Sequence, residues 1–405
     1  MRFSRLQVAF FSFLVFALFI TSVFSLPVEG VTPINDRDYV KAIHHLIQNA
    51  KTNIRVMLYQ AWYYEEYPDS DSNVFLRELI AAKERGVDVV VFMETSNWNQ
   101  YLEEKNRDFA RRLSEEDIPV YFDEKSITSH EKVMIIDDYA TVVASNNWSH
   151  YSLWMNFEVG VIVWSRPVAG AFFDYLNKLM EEAGHDPLPE SAAEKTISHG
   201  SFDLLPAEDV IPLTNRDYFP VVHKAFQNAE ESIRVAQRQA NYYTMIPSYA
   251  SDKTRKPGEP ISYLNVLLRD LIEAHKRGID VKVGLDAEVR KRRSTGEWTV
   301  NDDNEDFAMR LLAGNVPVNY DSLTTQTHAK MVIIDDKTIV GSTNWTYNAI
   351  HEGNETSVMI TSEEVADYYR DYFEDIIVGP RVEPGFDLWS LKREMEAREE
   401  KALKE

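Results

Sequence analysis

His130-Glu131-Lys132-Val133-Met134-Ile135-Ile136-Asp137 has a second copy in the same chain, His328-Ala329-Lys330-Met331-Val332-Ile333-Ile334-Asp335. Ser145, Asn147 and Glu158 follow the first copy, and Ser342, Asn344 and Glu355 follow the second in the same order. Between Lys and Asp each copy runs through four apolar, largely β-branched residues, which predicts a strand ended by an Asp-Asp hairpin turn. Residues 141–144 and 338–340 supply the returning strand. Side chains two apart on a strand share a face, so His130 points with Lys132 and His328 with Lys330. Ser145 and Asn147 repeat that spacing at the far end of the hairpin. Each copy then offers an imidazole, an ammonium, a hydroxyl and an amide to one spot, a set suited to phosphate oxygens. Nothing in it calls for a metal or another cofactor.

This duplicated HxKxxxxD pattern with its trailing Ser, Asn and Glu resembles the phospholipase D superfamily in its two-motif, single-chain form. The resemblance implies one active site at the interface of two similar halves, with both histidines facing a single phosphodiester. Ala144 stands where the family usually has Gly before the Ser. The second copy is also one residue shorter between its Asp and that position, so both departures fall on the returning strand.

The rest of the chain repeats as well. Arg37-Asp38-Tyr39 returns as Arg216-Asp217-Tyr218, Gln48-Asn49-Ala50 as Gln227-Asn228-Ala229, and Ile54-Arg55-Val56 as Ile233-Arg234-Val235. Such self-similarity marks a duplicated domain. The expected fold is α/β: two similar domains, each a mixed β-sheet flanked by helices, related by a pseudo-twofold axis. The first spans 28–190 and the second 213–385, with a Pro-containing linker at 191–212 and a charged, solvated helical tail at 386–405. In the first domain Tyr39, Val40, Ile43, Leu46 and Ile47 follow a helical period behind a cap at Asn35 or Asp36. His44 and His45, adjacent on that helix, point in different directions and suit surface and flank positions better than a metal site. The second half gains two inserts, around residues 251–256 and 290–293, and both bring Lys and Arg. They form either a positive rim to the site or solvated loops that balance local acid. The aromatic runs Trp62-Tyr63-Tyr64 and Tyr242-Tyr243 suit packing between sheet and helix better than a substrate groove, and Trp148 and Trp345 suit buttressing of the hairpins.

Composition narrows the function. The 405 residues, 44% hydrophobic, are enough for two cores. A formal charge of −22, from 65 acidic against 43 basic residues, disfavours a general polyanion binder. The chain has no cysteine, which excludes disulfides, thiol chemistry and Cys-ligated zinc. Residues 6–28 carry no charge behind Arg2 and Arg5, the pattern of a signal peptide or signal anchor over residues 1–27. The catalytic body is therefore expected to be secreted or held at the outer face of the cell membrane.

A phosphodiester repels nucleophiles, so its cleavage needs cations, a nucleophile and a proton donor. Lys132 and Lys330 supply charge. One neutral imidazole can attack phosphorus while the other, protonated, serves the leaving alcohol. Histidine's unperturbed pKa near working pH suits both tasks. The resemblance gives the nucleophile to His130 and the acid to His328. Glu158 and Glu355 would orient the imidazoles as a carboxylate does in a triad, and Ser145, Asn147, Ser342 and Asn344 would bind phosphate. Asp137 and Asp335 complete the motifs and count among the candidate catalytic residues, although their strand parity, opposite to the lysines, suits hairpin-turn and interface anchors. The expected function is a metal-independent phosphodiesterase of phospholipase D type that hydrolyses or transfers phosphatidyl groups through a phospho-histidine at a membrane surface. Two other readings stay open, an extracellular nuclease acting on nucleic acid and a non-catalytic module that grips anionic lipid; the oligomeric state is left open too. The Asn-x-Ser/Thr sequons at Asn147 and Asn344 lie inside the motifs and are expected to stay unglycosylated.

Overall fold

The computed structural model describes residues 24–190, 195–251, 253–254, 259–291 and 295–402. The export segment expected over residues 1–27 lies, up to residue 23, outside the described residues, as do Arg255, Lys256, Arg292 and Arg293 of the basic inserts. Among the described residues no helix is long and apolar enough to cross a membrane.

The apolar runs form two seven-stranded mixed sheets. The first comprises β1 (Gly30–Pro33), β2 (Asn53–Leu58), β3 (Asp88–Met93), β4 (Val120–Phe122), β5 (Lys132–Ile136), β6 (Ala140–Ala144) and β7 (Gly160–Trp164), in the order β1-β7-β6-β5-β2-β3-β4. The second repeats that order with β8 (Asp209–Thr214), β16 (Thr356–Thr361), β15 (Lys337–Gly341), β14 (Lys330–Ile334), β9 (Ser232–Gln237), β10 (Asp280–Leu285) and β13 (Val318–Tyr320). β2 pairs in parallel with β3, and β9 with β10. The motif strands β5 and β14 run antiparallel to both neighbours. The protein is thus α/β with two similar domains, as the duplicated sequence predicts.

Both faces of each motif strand are buried. Met134 and Ile136 enter the first domain's own core beneath helices Arg37–Asn49 and Asp71–Glu84. Val133 and Ile135 join Met331 and Ile333 in a central core that both domains share with helices Arg166–Glu182 and Glu363–Ile376. Strands covered on both sides need unbroken apolar runs, and that is the pattern between Lys132 and Asp137. Trp148 and Trp345, fully buried, brace the hairpins from behind, each donating its indole N–H at 3.0 Å, to Tyr39 Oη and to Tyr218 Oη.

The Gly-to-Ala departure at position 144 is compensated on the neighbouring strand. Gly341 faces Ser357, and a Cβ on Gly341 would come within 2.3 Å of Thr356 O. Ala144 faces Gly160 instead. Each facing pair keeps one glycine, on opposite strands in the two domains.

Two expectations are corrected. Residues 191–212 are more than a linker: Ile197 is buried in the first core, Val31 and Leu205 exchange backbone hydrogen bonds of 2.9 and 2.8 Å, and the final residues already belong to β8. The charged tail is a docked helix, Leu388–Ala402. Leu388 is buried, Leu391 and Met395 pack on the second core, and Trp298 donates its indole N–H to Glu399 at 2.9 Å. Three apolar residues on one face suffice where a hairpin, β11 (Glu288–Lys291) and β12 (Trp298–Asn301), waits to receive them.

Asp137 and Asp335 stand at the ends of the motif strands away from the histidines, which corrects their candidacy as catalytic residues and as interface anchors. Asp137, fully buried, accepts backbone N–H bonds from Lys51 (2.9 and 3.0 Å), Thr52 (2.7 Å) and Asn53 (3.2 Å). Asp335 accepts from Glu230, Glu231 and Ser232, each at 2.9 Å. Each carboxylate ties its hairpin turn to the loop before the neighbouring strand of its own domain. Asp137→Ala removes a charged acceptor from three donors, one of them buried, and is expected to lower the unfolding free energy by about 2–4 kcal/mol, since a hydrogen bond to a charged group contributes about 1.5–3 kcal/mol. Denaturant melts check this; a loss below 1 kcal/mol, about the size of one ordinary hydrogen bond, would show that the clamp is not needed.

Candidate active site

The residues ahead of each motif strand zip onto the other domain. His130 N–H donates to Asn354 O at 2.9 Å, and Asn354 N–H to Thr128 O at 2.8 Å. Reciprocally, His328 N–H donates to Phe157 O at 2.8 Å, and Phe157 N–H to Gln326 O at 2.9 Å. Each histidine is therefore held beside the glutamate of the opposite domain. His130 Nδ1 lies 3.0 Å from Glu355 Oε2, and His328 Nδ1 lies 2.8 Å from Glu158 Oε2. The sequence predicts glutamate partners for the imidazoles but not that they cross between domains.

The glutamates are themselves fixed. Ser145 Oγ donates to Glu158 and accepts from Val159 N–H at 2.9 Å; Ser342 Oγ donates to Glu355 and accepts from Thr356 N–H at 2.9 Å. Both serines are fully buried. This corrects their expected role in binding phosphate, because their hydroxyls are already used in holding the carboxylates. Asn147 and Asn344 differ, since their side-chain carbonyl oxygens are buried and meet no protein donor among the described residues. Asn147 is 8% exposed, which leaves no room for a glycan.

Sequence reasoning missed Asp36 and Asn215. Both take positive φ, 48° and 51°, a conformation that Asp and Asn tolerate better than other side chains with a Cβ. Asp36 Oδ1 accepts from Glu158 N–H and from Tyr372 Oη, both at 2.8 Å. The expected helix cap therefore does not form. Asn215 Oδ1 accepts from Glu355 N–H at 2.9 Å and from Tyr175 Oη at 2.6 Å. Their place directly before the repeated Arg-Asp-Tyr was the available signal. Tyr175 Oη also lies 2.9 Å from Glu131 Oε1. One hydroxyl hydrogen cannot serve both oxygens, and burial pushes Glu131 up to about 8, so its carboxyl supplies the second hydrogen.

Lys132 Nζ donates to His130 O and Lys330 Nζ to His328 O, each at 2.5 Å. The sites differ in what lies alongside. Tyr59 sits with its ring 4.6 Å from His130 and 4.8 Å from Lys132 Nζ. Arg238, its repeat equivalent, pairs with buried Asp286 at 3.3 Å. Beneath each histidine loop lie two acids that the sequence did not flag. Glu94 accepts from Ser129 N–H at 2.7 Å, and Asp123 from Thr95 N–H at 2.6 Å. In the second domain Asp286 and Asp321 both accept from Thr327 N–H at 2.9 Å.

Burial, then the Lys132 and Lys330 ammoniums, hold His130 well below the usual imidazole range. Burial and the same lysines bring His328 down to about 4, with Glu158 pulling the other way. Burial lowers Lys132 to about 8, and burial with Lys132 and Arg238 nearby lowers Lys330. Burial also acts to raise Glu158, but His328, Lys330 and Ser145 outweigh it and bring the carboxyl down to about 2. Glu355 goes up to about 8, because burial there outweighs Lys132, Ser342 and Lys330. Glu158 has His328 as its leading charged partner and takes further hydrogen bonds from Ser152 and Asn156, whereas at Glu355 it is Lys132, Ser342, Lys330 and Arg216 that oppose burial, which separates the two glutamates.

Both lysines act on both imidazoles, so the four motif side chains form one cluster. Among the described residues, no group of three His, Asp or Glu could hold a metal ion. Of the expected basic rim, Arg290 pairs with Glu288 at 3.1 Å and Lys291 pairs with Glu399, so these two balance local acid. Tyr63 and Tyr242 pack as expected, under Arg112 at 3.5 Å and Arg310 at 3.6 Å. Trp62 and Tyr64 instead line a groove.

The family described as "Cardiolipin synthase, PLD-like domain" matches residues 43–180 and 223–377. A 92-residue segment is 27% identical to cardiolipin synthase A of Buchnera aphidicola subsp. Baizongia pistaciae (strain Bp). That match covers 23% of this chain and 19% of the relative, so the chain spans about a fifth of that protein's length. Among solved structures, phosphatidylserine synthase of Haemophilus influenzae Rd KW20 superposes with a TM-score of 0.62 at 14% identity over 89% of each chain. Polyphosphate kinase from Porphyromonas gingivalis gives 0.53 at 13% identity, over 91% of this chain and 56% of that one. At such identities these two likenesses concern the fold alone. The family match takes in both domains and both motifs, and the chain belongs to this family of PLD-like domains within the phospholipase D superfamily.

Proposed function

We propose that the protein is a phosphodiesterase of phospholipase D type that hydrolyses or transfers phosphatidyl groups through a phospho-histidine, with no metal ion in the chemical step. The crosswise pairing of His130 with Glu355 and of His328 with Glu158 carries this reading, because it supplies two oriented imidazoles to one site. An Nδ1–H engaged by carboxylate leaves Nε2 free to act. His130, kept neutral by burial and both lysines, is the nucleophile. Its Nε2 forms the bond to phosphorus while the P–O bond to the leaving alcohol breaks, and that alcohol takes a proton from His328 Nε2. Water or a second alcohol then gives a proton to His328 and attacks phosphorus, and the P–N bond breaks. Lys132 and Lys330 offset the charge on the non-bridging oxygens. A phosphodiester anion between the lysines also offsets their part of the depression at His328, burial being the larger part, and ionised Glu158 favours its protonated form.

Phospholipid is the substrate class favoured by relatives named cardiolipin synthase and phosphatidylserine synthase. The export pattern of residues 6–28 supports a catalytic body that is secreted or anchored at the outer face of the cell membrane. A net charge of −22 and the paired state of Arg290 and Lys291 weigh against a nuclease.

Purified protein with EDTA is expected to release headgroup from phosphatidylcholine or phosphatidylglycerol and to leave plasmid DNA intact; nicking without headgroup release would support the nuclease. His130→Ala and His328→Ala should each lower turnover by at least about 10²- to 10⁴-fold, the usual size of one acid–base or nucleophilic role. With an aryl leaving group that needs no proton, His328→Ala should accumulate phosphate on His130, seen by mass spectrometry; label on any other residue would refute the assignment. Glu158→Gln removes the carboxylate that raises His328's proton affinity, so the alkaline limb of kcat/KM is expected to move to lower pH. A limb that stays in place or moves up would contradict the acid role of His328.

A further inference from the structure

The strand directions send one set of loops to the edge where the histidines lie. β2 and β3 run parallel and end there, antiparallel β5 begins there just after His130, and β6 ends there before Ser145. The loops leaving that edge carry unusually exposed aromatic side chains. Tyr67 is 66% exposed, Trp98 59%, Tyr101 56%, Tyr151 59% and Trp154 48%. In the second domain, Met245, Tyr249 and Tyr263 occupy the corresponding loop after β9 and the helix that follows it. With Met155, nine of the fifteen exposed large hydrophobics among the described residues lie at this edge, so the exposure is concentrated and not scattered.

The first-domain members are continuous with a groove of about 710 Å³ lined by Trp62, Tyr64, Tyr67, Tyr151 and Trp154, and Trp62 packs edge-on against Tyr101 at 5.4 Å. Trp and Tyr pair an apolar ring with a polar atom, the combination favoured where hydrocarbon meets water. The groove itself is acidic: Glu66, Asp69 and Asp71 line it and no described Lys or Arg does, Arg37 standing at its margin 5.8 Å from the Trp154 ring, and the whole chain carries −22. A groove so lined repels an anionic leaflet and, among the described residues, offers it no basic tether.

We propose that this aromatic edge docks the protein on a zwitterionic phospholipid surface, its rings entering the headgroup layer so that the histidine pair opens onto the lipid. The inference rests on the phospholipid reading above and adds the surface, the orientation and the lipid charge.

The test uses the full chain carrying His130→Ala and His328→Ala, so that binding is read without turnover. Sedimentation with vesicles of pure phosphatidylcholine should retain the protein and blue-shift its tryptophan emission, with little change when salt is raised. Adding phosphatidylglycerol should weaken retention. Trp98→Ala with Tyr151→Ala should lower partitioning by at least about tenfold, as losing two interfacial rings implies; Leu204→Ala, an exposed side chain beside Gly30 at the opposite end of the sheet, should not. Binding that requires anionic lipid and disappears in salt, no binding to either vesicle, or unchanged binding by the Trp98/Tyr151 variant would each overturn the proposal. Headgroup release is measured separately, so a protein that turns over dispersed lipid yet ignores vesicles sinks the docking surface alone.

Discussion

Each buried glutamate of this protein finds its imidazole in the other domain, and the rest of the architecture follows from that constraint. A carboxylate taken out of water is costly unless it is paired and hydrogen-bonded. Glu158 and Glu355 are almost wholly buried, and among the described residues each domain alone supplies only uncharged partners, Ser145, Ser152 and Asn156 to Glu158 and Ser342 to Glu355. Bringing His328 to Glu158 and His130 to Glu355 completes both shells at once. The backbone bonds through Asn354 and Phe157 and the central core shared by Val133, Ile135, Met331 and Ile333 hold the domains in the one arrangement that satisfies this demand. The site is thus a property of the interface, and neither half contains a complete copy of it.

Much of this was legible in the sequence because duplication doubles every signal. Two unbroken apolar runs with the same companions predicted the motif strands, their hairpins and a pair of mixed sheets. The crossing of the Glu partners was not legible, since spacing within one repeat carries no information about which repeat a side chain will face. Ser145 and Ser342 were misread for a related reason: a hydroxyl two residues from an amide suits phosphate, but only coordinates reveal the carboxylate 13 residues later that claims it. Asp137 shows the opposite case, where parity already placed it away from the lysines and the structure found its use in three consecutive backbone N–H groups. The tail was misjudged because Leu388, Leu391 and Met395 are sparse among charges, and their burial depends on a distant hairpin.

The two domains are equivalent in topology and unequal in chemistry. Around His130 stand Tyr59 and the neutral acid Glu131; around His328 stand Arg238 and Ala329. A symmetric pair of imidazoles would share every protonation state equally, whereas the reaction proposed above needs opposite states at one moment. Uneven surroundings separate them, which is visible in the opposite shifts of Glu158 and Glu355. The same freedom shows in the swapped glycines, Gly160 against Ala144 and Gly341 against Ser357, where the constraint is one small residue per facing pair and either strand can supply it.

Strand direction then explains why variation collects on one side of the molecule. Parallel β2 and β3, and β9 and β10, deliver their following loops to the histidine edge. Ala61, Tyr63, Ala240 and Tyr242 at the roots of those loops pack on the cores, but the exposed residues beyond them are free to change without disturbing the crosswise pairs below. In the first domain that freedom has produced an aromatic, acidic surface around a groove; in the second it has produced the longer inserts and the hairpin on which helix Leu388–Ala402 rests. A buried centre fixed by reciprocal His–Glu hydrogen bonds and an edge of exposed aromatic loops are two results of one topology: the strands that converge on the histidine pair are the same strands whose loops form that edge.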